Sequence, residues 1–174
     1  MLKMFSTQLT GLFKRLQEKE EFSIEDSARL LAQAAAGEGK IYIFGTKEMS
    51  GIGYEATQSQ EPLRDAAVLK NGDEVTETDR VIIFSRNSND EDAIELADIL
   101  TDKGIPFVAV STGIMNENGE SLADLADVHI DLTLTKGLLP DEEGNRFGYP
   151  ASMAALFVYY GIKFTIEEIM AEHE

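Results

Sequence analysis

Cysteine and tryptophan are both missing from these 174 residues, and histidine occurs only twice. Without cysteine there is no disulfide, no thiolate metal site and no cysteine nucleophile, which agrees with a cytoplasmic protein. Basic side chains are scarce as well: fifteen Lys and Arg stand against thirty-two Asp and Glu, for a formal charge of -17. A field of that sign repels nucleic acid and anionic lipid, so no polynucleotide partner is expected. A small anion would have to be held locally, by backbone N–H groups at a helix N-terminus. Long apolar runs are lacking too. Lys, Glu, Asp or Gly interrupts each hydrophobic stretch well before the roughly 20 residues that cross a bilayer, so no membrane partner is expected. The opening MLKMFSTQLTGLFKRLQEKEEF has no continuous apolar segment with a small-residue cleavage site, and it reads as an amphipathic helix rather than a signal peptide.

What is present suffices for one substantial core, since 43% of the residues are hydrophobic and the length is that of one domain. Residues 1–174 are read as a single unit, with helices in 1–37 and an α/β core in 40–174. Leu2, Phe5, Leu9, Leu12, Phe13 and Leu16 recur at helical spacing. Ser23 and Asp26 resemble a capping pair that opens a second helix through Ala28, Leu31, Ala32, Ala35 and Ala36, stopped by Gly37 and Gly39. Two helices are therefore expected before the first strand.

Short runs rich in β-branched and aromatic residues follow, over 41–44, 81–84, 107–110 and 128–132, with a short extra strand over 66–69 ended by Asn71-Gly72. The first three clear runs are continuously apolar, as strands covered on both faces by helices are. In the fourth, Asp127, His129 and Asp131 alternate with Val128, Ile130 and Leu132, the pattern of an edge strand with one wet face. Ala93, Ile94, Leu96, Ala97 and Leu100 mark a helix stopped by Gly104 and Pro106, and another begins near Pro150. Strand, helix, strand implies a right-handed parallel crossover. The predicted fold is a three-layer α/β/α sandwich around a mostly parallel sheet of about five strands, of flavodoxin or Rossmann type. Only 136–149 reads as a long structureless stretch. There Asp141-Glu142-Glu143 forms a solvated loop, with Arg146 and Tyr149 beside it in reach of a ligand.

Open parallel sheets bind ligands outside the carboxyl ends of their strands. Two loops qualify: Gly45, Thr46, Lys47, Glu48, Met49, Ser50, Gly51 after the first strand, and Ser85, Arg86, Asn87, Ser88, Asn89 after the run that begins at Val81. The order of IYIFG with a Ser-containing turn, DRVIIFS with a Ser/Asn-rich turn, a helix, then IPFVAVST, LADLADVHIDL and a closing helix resembles the sugar isomerase (SIS) domain from Lys40 onward. Within that group it looks most like the phosphoheptose isomerases, in a branch of Bacillus-type bacteria.

The resemblance implies that Gly45 and Ser50 in the first loop and Ser85, Asn87 and Ser88 in the second hold sugar oxygens and phosphate, with Thr46, Lys47 and Arg86 alongside. The departures carry physical meaning. Asp90-Glu91-Asp92 at the next helix start already supplies negative charge to its dipole, so a phosphate there meets repulsion unless Lys47 and Arg86 compensate. Side chains replace glycines that would allow close backbone approach.

Isomerisation needs a base between adjacent carbons and a second proton shuttle. The resemblance implies a Glu after the first loop, for which Glu55 and Glu61 are the candidates, and a His on the closing helix. PASMAALFVYYG supplies no His. Three readings stay open, in this order: a non-catalytic or regulatory binder of a sugar phosphate or related carbohydrate derivative, an isomerase with altered catalytic residues, and a structural dimer with a lapsed site. The partner is a small sugar derivative. A homodimer or dimer of dimers is expected, because SIS-like sites commonly form between subunits.

No cofactor or metal is expected. Gly51-Ile52-Gly53-Tyr54-Glu55-Ala56 spells a dinucleotide fingerprint, but it lies six residues beyond Gly45 rather than directly after the strand. His129 between Asp127 and Asp131 sits at i, i+2 spacing, which converges poorly on one ion.

Overall fold

The computed structural model describes residues 1–70 and 73–173. The Asn71-Gly72 turn lies outside the described residues.

The chain opens with helix α1, Leu2–Ala36. The two expected helices are therefore one. Leu12, Leu16, Ala28, Leu31, Ala32 and Ala35 are buried along a single stripe, with half-buried Ile24 between them. No Pro or Gly falls between Leu12 and Ala36 to break the helix at Ser23, and continuous burial overrides the cap-like pair.

Five parallel strands follow: β1 (Ile41–Gly45), β2 (Ala66–Val68), β3 (Arg80–Asn87), β4 (Phe107–Thr112) and β5 (Val128–Asp131). Their order is β2-β1-β3-β4-β5. A one-turn 3-10 segment, Lys47–Ser50, links β1 to α2 (Gly51–Gln58). Helix α3 (Glu91–Lys103) joins β3 to β4, the short α4 (Leu122–Leu125) precedes β5, and α5 (Ala151–Glu172) closes the chain. Gly104 stops α3 in the left-handed region, at φ 69°, as a residue without a Cβ does most easily.

Alternation along the strands sends side chains to two cores. Ile41, Ile43, Ile82, Phe84, Val108, Val110 and Ile130 pack against α1, α2 and α5. Val81, Ile83, Phe107 and Ala109 pack against Ala93, Ala97 and Leu100 of α3 and Leu122 of α4. The expected three layers and parallel sheet are thus observed. Among the described residues no helix is long and apolar enough to cross a membrane.

The stretch 136–149 is not structureless. Leu139–Pro140 (β6) and Arg146–Phe147 (β7) pair as an antiparallel hairpin. Asp141 Oδ1 accepts the amides of Glu143 and Asn145 at 2.9 and 2.7 Å, so the acidic tip is an ordered turn. Arg146 donates to the carbonyls of Gly137 and Leu138 at 2.9 and 3.0 Å, which ties it to its own hairpin.

At the β5 edge, the wet face predicted from alternation is half right. Asp127 Oδ2 accepts the Phe107 amide, and Asp131 Oδ1 accepts those of Gly113 and Thr133. His129 is half-buried, with Nε2 2.8 Å from the Ser111 hydroxyl. Burial holds its pKa below the ordinary imidazole range, against the pull of Asp131 and Asp124. Among the described residues no group of three His, Asp or Glu side chains is placed to hold a metal ion.

Candidate functional site

Strand order reverses between β1 and β3, because β2 returns to one side of β1 and β3 lies on the other. At such a switch point the loops leaving two adjacent strands diverge and leave a crevice beyond their carboxyl ends. Here both loops singled out from the sequence border it. A crevice of about 330 Å³ is lined by Lys47, Arg86, Asn87, Asn89, Asp90, Glu91 and Asp92.

Gly45 ends β1, and a Cβ there would lie 2.2 Å from the carbonyl oxygen of Met49. Its role in the first loop is to let the 3-10 turn fold back onto the strand. The turn is secured by the Thr46 amide on the Phe84 carbonyl at 3.0 Å and by the Met49 amide on the Thr46 carbonyl at 2.9 Å. Lys47 adopts a left-handed φ of 49°, which swings its side chain over the second loop. Ser50 is exposed at the N-terminus of α2 and makes no side-chain cap bond.

The second loop divides. Ser85 is buried, donates to the Asn87 carbonyl at 2.9 Å and lies 3.4 Å from the Thr46 hydroxyl. Ser88 is also buried and does not face the crevice. Its hydroxyl donates to the Ile114 carbonyl at 2.9 Å and accepts the Ile114 amide at 2.7 Å. Asn87 is half-buried and Asn89 exposed, both at the crevice wall.

Two ion pairs join the loop after β1 to the end of β3 and the loop after it. Arg86 Nε and Nη2 grip Glu48 Oε1 and Oε2, each at 2.8 Å. The guanidinium holds the Glu48 carboxyl below its usual range. Lys47 Nζ lies 2.7 Å from Asp90 Oδ2. Burial pushes the Asp90 carboxyl up, but hydrogen bonds from Lys47 and the Ala93 amide outweigh it and the net direction is down. Asp90 also caps α3 through that amide, at 3.2 Å. Glu48 and Asp90 were not among the residues expected to form the site. The cap signal of an acid just before a helix was legible at Asp90, whereas its ion pair was not.

Glu55 and Glu61 point elsewhere. Tyr160 of α5 donates its hydroxyl proton to Glu55 Oε1, which raises the phenol's pKa. Glu61 lies 3.9 Å from the ammonium of Lys163, a side chain only 1% exposed, and Glu167 lies 3.1 Å from it. Tyr159 keeps its hydroxyl buried without a hydrogen-bond partner, and burial drives its pKa upward. The pairings of Tyr160 with Glu55 and of Lys163 with Glu61 join α5 to residues far earlier in the chain, so no local spacing signals them. The fingerprint Gly51, Gly53 and Ala56 lies inside α2 rather than in a strand-to-helix turn. A Cβ at Gly53 would sit 3.0 Å from Val68 Cγ2, so close packing of α2 on β2 accounts for that glycine.

A family model described as a domain of unknown function (DUF2529) matches residues 1–170. The uncharacterized protein YwjG of Bacillus subtilis (strain 168) is 46% identical over 174 residues, covering 99% of each chain. Among solved structures, a phosphoheptose isomerase from Francisella tularensis superposes with a TM-score of 0.63 at 13% identity, over 94% of each chain. The NanR protein of Vibrio vulnificus complexed with ManNAc-6P superposes with a TM-score of 0.55 at 14% identity, over 95% of this chain and 66% of that one. At such identities the likeness is one of fold, and the fold is that of the SIS domain.

Proposed function

Because the chain belongs to the DUF2529 family and has the SIS fold, we propose that it binds a sugar phosphate or related carbohydrate derivative in the crevice between β1 and β3, without converting it. The observation that carries this reading is the crevice at the switch point, walled by groups that suit sugar hydroxyls. Ser50 carries no cap bond, and no hydrogen bond engages the side-chain amides of Asn87 or Asn89 among the described residues. Thr46, Ser85 and Gly45 shape the loops behind them, and Lys47 and Arg86 supply charge.

The non-catalytic part rests on where the proton-transfer groups lie. Glu55 and Glu61 are engaged with Tyr160 and Lys163 of α5, and His129 is bonded to Ser111 on the α3–α4 side of the sheet. An isomerase needs a base and a shuttle within hydrogen-bond reach of the same sugar carbons, and these residues offer no such pair to the crevice. Among solved structures of this fold, one is named a phosphoheptose isomerase and another is a protein complexed with ManNAc-6P, so the fold is compatible with holding a sugar derivative as well as with converting one.

Thermal-shift screening against hexoses, hexosamines and their phosphates, with Asn87→Ala and Asn89→Ala as crevice variants, tests the reading. Stabilisation by one compound class that both variants weaken is the expected result. Ligand-induced stabilisation that neither variant alters would place the ligand elsewhere and defeat it. Turnover of a bound sugar phosphate that Glu55→Gln abolishes would restore the isomerase reading.

A further inference from the structure

If the crevice holds a carbohydrate derivative, as just proposed, its charge arrangement selects which one. Asp90 is a fixed carboxylate. Its side chain is 7% exposed and accepts from the Ala93 amide at 3.2 Å, while the Thr46 hydroxyl lies 3.4 Å away. Lys47, its ionic partner at 2.7 Å, is 59% exposed on a long flexible stem. The pair therefore joins a rigid acid to a replaceable ammonium.

Arg86 is committed differently, because both arms of its fork lie on Glu48. Each cation at the crevice is thus matched by a carboxylate of the chain itself, and Glu91 and Asp92 add two more acids to the lining. A phosphate ester entering here would have to strip Lys47 from Asp90 and Arg86 from Glu48 and then sit among the three lining carboxylates of Asp90, Glu91 and Asp92. It would also find the N-terminus of α3 already capped by Asp90. A ligand ammonium faces none of this. It would take the place of Lys47 Nζ on Asp90 with the charge balance of the buried pair unchanged, and Lys47 would swing into solvent.

We propose that the crevice takes an unacylated amino sugar through its ammonium group, with Asp90 as the residue that selects it and Lys47 as the placeholder it displaces, and that it discriminates against phosphorylated sugars. Asn87 and Asn89 supply donors and acceptors for the remaining hydroxyls.

The two charged residues give opposite signs for the two ligand classes. Calorimetric titration at low salt and slightly acid pH would compare glucosamine, galactosamine and mannosamine with their N-acetyl forms and with the hexose 6-phosphates. The proteins are the unaltered chain, Lys47→Met and Asp90→Asn, each checked for its fold by circular dichroism. An amino sugar should bind about fivefold more tightly to Lys47→Met, which lacks the competitor, and at least tenfold more weakly to Asp90→Asn, whose amide keeps the cap without the charge. N-acetylation should abolish binding.

A hexose 6-phosphate that outcompetes the amino sugars and is weakened by Lys47→Met would overturn the assignment while leaving the sugar-binding reading intact. Equal binding of amino and N-acetyl sugars would do the same. Binding of no compound to any of the three proteins would remove both.

Discussion

Ser88 Oγ donates to the carbonyl of Ile114 and accepts the amide of the same residue, at 2.9 and 2.7 Å. One buried hydroxyl thereby fastens the loop after β3 to the segment after β4. Ser50, its counterpart in the other loop, is exposed and makes no cap bond. The two serines, equivalent as sequence candidates, should respond oppositely to truncation. Ser88→Ala strands a buried donor and acceptor and should cost ~1–3 kcal/mol. Ser50→Ala should stay within about 0.5 kcal/mol. Chemical denaturation of both variants checks this, and equal midpoints would contradict it.

Gly45→Ala should destabilise by about 1–3 kcal/mol or more, since the added Cβ meets backbone rather than a movable side chain. Gly51→Ala, where a Cβ meets nothing within 4 Å, should be neutral or slightly stabilising at the start of α2. A thermal melt of each variant distinguishes the positions.

His129 predicts a pH dependence of defined sign. Burial depresses its folded-state pKa below the unfolded value, so the unfolded chain binds the extra proton first. The contribution is therefore complete above the ordinary imidazole pKa of about 6.5 and is lost as pH falls through the lower folded-state value. The slope cannot exceed about 1.4 kcal/mol per pH unit for one proton. Urea unfolding between pH 7.5 and 5.5 should show this loss in the unaltered chain and a flatter profile in His129→Gln. Parallel profiles would assign the dependence to other groups.

Lys163 tests whether charge or packing holds the α2–α5 seam. Its carboxylate partners are at least half exposed, so removing the ammonium strands no buried anion. Lys163→Met should change stability by less than about 1 kcal/mol, because volume is kept. Lys163→Ala should lose ~1–3 kcal/mol by opening a cavity beside Tyr160 and Phe164. Equal losses in both variants would show that the ion pairs carry the seam.

Most of the architecture was legible in the residues. The apolar runs Ile41–Phe44, Val81–Phe84 and Phe107–Val110 are strands because their side chains meet a core on both faces. Asp90 before Glu91 and Gly104 after Lys103 mark the ends of α3 through bonds within a few residues of chain. The errors came where short-range signals met longer-range packing. Ser23 resembles a helix cap, yet burial of Leu16, Ala28 and Leu31 along one stripe carries α1 through it. The stretch 136–149 lacks strand-like patterning, and its hairpin is fixed instead by Asp141 and Arg146 binding backbone.

By itself the sequence determined the central strands, the ends of α3, and that the sheet is parallel and covered on both sides, because periodicity, caps and apolar content act over neighbouring residues. Only the tertiary structure decided that Lys47 meets Asp90, that Arg86 meets Glu48, that Glu55 faces Tyr160 and that Ser88 turns away from the crevice. The physical reason is distance along the chain. These partners are separated by 43, 38, 105 and 26 residues, and only the strand order and the packing of α5 on α2 bring them within bonding range.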